Sequence, residues 1–185
     1  MIKKIITIFL LFIMVFCSAY RKPYKYEIKA ERDAFYHNNL GLNYLKDRVY
    51  YAAIQEFKIA ISLSPSTQSS AIFYNNIGET YNFIGYPDLA LDSFENAVKL
   101  YGLNLKYHIN LVKTYILVNK SESKIKEFEQ SNDVYDRIKL GILYIETGNY
   151  RKGVNTLDEI CAQEPDLLIT PAIKQYIKQV IKEKL

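Results

Sequence analysis

The chain has 185 residues, the size of about one domain. Hydrophobic residues make up 49% and charged residues 24%, enough to bury a core, which excludes wholesale disorder; seven glycines and five prolines are too few for a turn-rich all-β sandwich or barrel. A formal net charge of +4 is too weak to imply nucleic acid.

Residues 1–19 read as an address. Met1-Ile-Lys-Lys4 is a basic start, and Ile5 to Phe16 is apolar except for Thr7. That run is shorter than the roughly 20 residues a spanning helix needs, and it fits the apolar region of a secretory signal peptide. Cys17-Ser18-Ala19 offers a small-x-small site, so cleavage is expected after Ala19. Two other readings stand beside it. Cys17 could be the acylated residue of a lipoprotein, against which Phe16 counts, because such signals place a small residue before the cysteine. The segment could also stay as a short uncleaved anchor. Cleavage would remove Lys3 and Lys4 and lower the charge from +4 to +2. The expected location is the periplasm or exterior of a bacterium, with membrane contact only through this segment or a lipid on Cys17. Cys161 is the other cysteine, so loss or acylation of Cys17 leaves no intramolecular disulfide. Residues 20–33 are a charged, aromatic lead-in segment.

From there the chain is helical by periodicity, with helices expected near 32–46, 50–62, 71–84, 87–99, 105–118, 121–131, 134–147 and 150–162. Breaks fall at Ser64-Pro65, Gly85-Tyr86-Pro87, Gly102, Gly148-Asn149 and Glu164-Pro165. One frame recurs. Its first copy runs His37, Leu40, Gly41, Tyr44, Ala53, Phe57, Ala60 and Pro65. Its second runs Tyr74, Ile77, Gly78, Tyr81, Ala90, Phe94 and Ala97. A later copy keeps Leu140, Gly141, Tyr144, Gly153, Leu157 and Pro165, and a degenerate one between them keeps Leu111, Tyr115 and Phe128. The tyrosines at 44, 81, 115 and 144 are spaced by 37, 34 and 29 residues. Small residues at 41 and 53, and at 78 and 90, let paired helices approach, and the larger side chains at 44, 57, 81 and 94 fill the space beside them. A last helix follows at 170–185, with Thr170 as cap and Pro171 at its first position. Its apolar stripe is Ile173, Tyr176, Ile177, Val180 and Ile181, opposite Lys174, Lys178 and Lys182.

These residues resemble the tetratricopeptide repeat family, whose unit of about 34 residues is a pair of antiparallel helices. The resemblance implies an all-α solenoid of about four repeats: 34–67, 71–104, a degenerate 105–133 and 134–167, closed by a capping helix. It also implies a concave groove lined by the first helix of each pair. At one groove place it puts Asn39, Asn76, Asn110 and then Lys139. Three asparagines there would form a ladder able to pair with the backbone of an extended peptide. Asn38, Asn75, Glu79, Lys106 and Lys113 would add polar contacts, and Lys46, Lys106, Lys113 and Lys139 against Glu79 and Glu146 would make the groove mildly basic. The family's carboxylate clamp for chaperone tails is not expected, because Asn38, Leu42, Asn76, Lys106 and Asn110 occupy its five places and only two fit.

Sites for chemistry look absent. His37 and His108 share a packing place in their repeats, no metal-ligand spacing is visible, and no nucleotide or nucleophile motif occurs. The sequence therefore points to a protein with no cofactor and no catalytic residues, binding a protein or peptide partner. The alternative is an envelope lipoprotein, anchored through Cys17, serving as a structural subunit of an assembly or secretion machine.

Overall fold

The computed structural model describes residues 33–185. The signal segment, Cys17 and all but the last residue of the lead-in lie outside the described residues. The chain divides into two units at residues 31 and 32, and the second holds every described element.

The elements are α1 (Ala34–Lys46), α2 (Tyr50–Leu63), α3 (Gln68–Phe83), α4 (Pro87–Leu100), α5 (Leu105–Leu117), α6 (Ser121–Glu129), α7 (Val134–Glu146), α8 (Tyr150–Gln163) and α9 (Thr170–Lys184). All are α-helices. The odd-numbered helices up to α7 open on side-chain caps. Asp33 accepts from the amide of Tyr36, Thr67 from Ser70, Asn104 from Lys106, and Asp133 from Tyr135 and Asp136. The even-numbered helices have no such cap and are entered from tight turns. α3 begins three residues earlier than periodicity suggests, because Thr67 and Ser70 close a capping box ahead of the first apolar residue.

The first two pairs and the last share one packing device. A Cβ added to Gly41 would stand 2.5 Å from the ring of Phe57, and one on Gly78 would stand 2.7 Å from the ring of Phe94. Ala53, Phe57, Ala60, Ala90, Phe94 and Ala97 are all at or below 1% exposure, while Tyr44 and Tyr81 are half-buried beside them. Gly141 repeats the arrangement against Leu157, flanked by buried Leu140 and Tyr144. Between pairs, the end of one packs on the start of the next. Ala34 and Ala60 close around Phe73, and Ala71 and Ala97 close around Tyr107.

The third pair is different. α6 has nine residues, buries only Phe128, and packs chiefly on α7. Val112 is fully buried where a glycine stands in the other units, so α5 and α6 cannot close as the others do. α9 lays Ile173, Ile177 and Val180 into the core that runs from α4 to the C-terminus. Two expectations for this helix change. Ile169 is its N-cap, and Thr170 instead lies inside the helix, 1% exposed, donating its hydroxyl to Glu164 O at 2.8 Å. Ile181 leaves the apolar stripe and is exposed. Among the described residues, no helix is long and apolar enough to cross a membrane.

Candidate functional site

The asparagines of α1, α3 and α5 hold the helical pairs together. Asn76 donates to Asn38 Oδ1 at 2.8 Å across the first junction. Asn110 donates to Asn75 Oδ1 and to Glu79 Oε1, both at 2.9 Å, across the second. Asn75 also donates to Glu79 at 3.1 Å, and Lys106 Nζ lies 2.6 Å from the same carboxylate. Asn82 donates to Thr114 Oγ1 at 2.8 Å one turn further along. Asn38 and Asn75 are buried, so these bonds satisfy groups that water does not reach. Asn39 stands apart and exposed. The three ladder positions therefore do not present three equal free amides: two of them are committed to neighbouring helices.

Charge is committed in the same way. Lys113 is 3.8 Å from Glu146. Lys139 turns away from the other groove lysines. It pairs with Asp136 at 2.7 Å and places its ammonium 4.8 Å from the centre of the Phe128 ring, because short α6 leaves that ring at the flank of α7. Asp136 is held below the ordinary carboxylate range by Lys139 and Ser131, against an opposing push from its own burial. Of the lysines assigned to a mildly basic groove, Lys46 alone has no ion pair among the described residues.

Sequence reasoning missed the apolar part of this face. Leu42 lies one turn beyond Asn38, Phe83 one turn beyond Glu79, and Leu117 one turn beyond Lys113. The i, i+4 relation puts each on the same stripe as its polar neighbour. All three are exposed, Phe83 at 72% and Leu117 at 57%. The signal was available in the spacing, but polar residues alone were read from it. At the edge of the face, Leu45, Lys46, Arg48, Tyr50, Glu79, Thr80 and Phe83 enclose a cleft of about 270 Å³.

The histidines are packed. His37 donates from Nδ1 to buried Glu56 at 2.7 Å, joining α1 to α2. His108 donates from Nε2 to Gly102 O at 2.7 Å and stacks on Tyr135, and burial lowers its pKa to about 4. Cys161 is buried on α8, which raises its thiol pKa. Among the described residues, no three His, Cys, Asp or Glu side chains are placed to hold a metal ion.

Residues 71–102, the second helical pair, match the family model of the tetratricopeptide repeat. The comparison with curated proteins returns no match. Among solved structures, YrrB, described as a TPR protein with an unusual peptide-binding site, is 18% identical over 74% of this chain and 72% of that one, with a TM-score of 0.51. A tetratricopeptide repeat protein from Parabacteroides merdae is 16% identical over 80% of this chain and 60% of that one, with a TM-score of 0.50. MamA is 18% identical over 80% and 86%, with a TM-score of 0.49. Residues 71–102 thus carry the sequence pattern of a tetratricopeptide repeat, and the described helices share the fold of solved tetratricopeptide repeat proteins.

Proposed function

We propose that the protein is an exported binding module that takes a partner protein or extended peptide on the face formed by α1, α3, α5 and α7, by equilibrium binding and without a covalent step. One observation carries the reading. Leu42, Phe83 and Leu117 stand exposed on consecutive first helices, beside asparagines that are already bonded across the helix junctions. Such a face offers apolar anchor points at a low ordering cost, since its frame is fixed before the partner arrives. The peptide-binding site named for YrrB supports a peptide as the partner. Export rests on residues 1–19.

Photocrosslinking in the native organism tests the reading. A benzoylphenylalanine at 83 or 117 is expected to capture one discrete protein, and the same group at exposed Glu159 on α8 is not. Equal capture from both faces, or none from 83 and 117, sinks the proposal. Mass spectrometry of the purified native chain tests export. Tyr20 at the N-terminus means cleavage after Ala19, and an acylated Cys17 means an envelope-anchored subunit. An intact Met1 overturns both.

A further inference from the structure

We propose that the cleft between the ends of α1 and α3 docks a peptide segment carrying an aromatic or large aliphatic side chain beside one or more carboxylates. The proposal rests on the binding-module reading and names the chemistry of the partner at one place on that face.

The apolar wall comes first. Phe83 projects into solvent, and the Tyr50 ring stands 5.1 Å from it at 41°, with Leu45 behind them. The open ring of Phe83 beside the half-buried ring of Tyr50 forms an anchor site for a ring or a branched chain. The charges come second. Glu79 is the acid of the lining, and it is already engaged by Lys106, Asn75 and Asn110. Lys46 and Arg48 are exposed and have no ion pair among the described residues. An occupant complementary to this cleft is therefore apolar and anionic.

The backbone supplies an independent sign. Each odd-numbered helix up to α7 ends in a turn whose second residue past the helix has a positive φ. In three turns that residue is Gly85 (84°), Asn119 (56°) and Gly148 (92°), the types that tolerate the left-handed region. In the first turn it is Arg48, at 59°. A long side chain carries a steric cost there that glycine avoids, and such outliers gather at functional sites. The guanidinium at the mouth of the cleft gives that cost a reason. The chain's own segment 20–32 is a poor occupant, since Arg21, Lys22, Lys25, Lys29 and Arg32 outnumber Glu27 and Glu31.

Fluorescence anisotropy on the full chain tests the proposal. The probe is a labelled heptapeptide with one phenylalanine flanked by glutamates. The controls replace the phenylalanine by serine, or the glutamates by lysines. The acidic phenylalanine probe is expected to bind most tightly, with Arg48→Gly and Phe83→Ala each weakening it by about tenfold. Arg48→Gly is expected to melt no lower than the parent chain, so its lost binding cannot be lost fold. The proposal is overturned by equal binding of the three peptides, preference for the lysine peptide, undiminished binding by the variants, or no binding of any probe. It is also overturned if sedimentation shows self-association that Phe83→Ala abolishes, which would assign the cleft to a second copy of this chain. None of these results touches the crosslinking test of the broader reading, so the two can fail separately.

Discussion

Two single side chains give sharp tests of the packing. The ring of Phe57 fills the space where a Cβ on Gly41 would stand, at 2.5 Å, and it has no room to retreat between α1 and α2. Gly41→Ala is expected to lower stability by about 1–3 kcal/mol through overpacking. An unchanged denaturation midpoint would mean that the helices do not meet at this distance. His108 gives a pH dependence. Its folded pKa of about 4 lies below the unfolded value of 6.5, because burial disfavours the imidazolium. Between those values the unfolded chain binds the proton and the folded chain does not. Stability contributed by neutral His108 is therefore complete above about pH 6.5 and declines as the pH falls towards 4, by about 3 kcal/mol in all. The stability difference between the parent chain and His108→Phe, followed by urea denaturation across that window, should change with this sign. A difference that stays flat would show that the ring titrates normally.

At the level of the helix, the amides of α1, α3 and α5 act as couplers between pairs. Removing Asn110 strips a donor from Asn75 Oδ1, which is buried, and leaves Glu79 to Lys106 and Asn75. Asn110→Ala is expected to cost about 1–3 kcal/mol of stability, the range for an acceptor left unpaired inside a fold. If thermal melting does not move, the side chain is available to a partner and the ladder role returns. α6 makes the opposite prediction. It is nine residues long and uncapped, and Phe128 is its one buried side chain. Its amides should exchange with solvent faster than those of α5 and α7 in a native-state hydrogen-exchange experiment. The contrast shows what sequence could and could not reveal. The frame of Leu40, Gly41, Tyr44, Ala53, Phe57 and Ala60, repeated from Ile77 to Ala97, made the paired helices legible, because small-to-large complementarity is local and periodic, although Leu40, Tyr44 and Tyr81 are only half-buried. The candidate face was only half legible. Position along a helix assigns a side chain to a face, but it does not say whether that side chain is spent on a neighbour. Asn76, Asn110, Lys106 and Lys113 were visible as polar groups on a face, while their partners lie 27–38 residues away.

Across the whole molecule, stability in a repeat array is a chain of nearest-neighbour terms, and an end unit without a neighbour is exposed on its apolar side. Here the core runs continuously from α4 into α9, where Ile169 and Ile173 are fully buried. The weak α5–α6 pair does not interrupt it, because α7 packs on α5 directly and carries the contact past α6. Cys161 reports on the C-terminal end of this chain of contacts. It lies on the face of α8 that α9 approaches, near enough to Lys174 for that charge to bear on its thiol, and burial holds its pKa up. In the intact protein a thiol reagent should therefore label Cys161 slowly, and denaturant should make labelling fast. Ending the chain after Gln163 takes away Ile169, Ile173, Ile177 and Val180 together. Removing four buried aliphatic side chains, each worth about 1.5–3 kcal/mol of burial, should lower the melting temperature sharply. The same truncation should make native labelling of Cys161 fast, even at temperatures where helical circular dichroism shows the remaining array still folded. Slow labelling of the truncated chain would place the thiol inside the α7–α8 pair. In that case α9 would be an appendage on the array and not its cap.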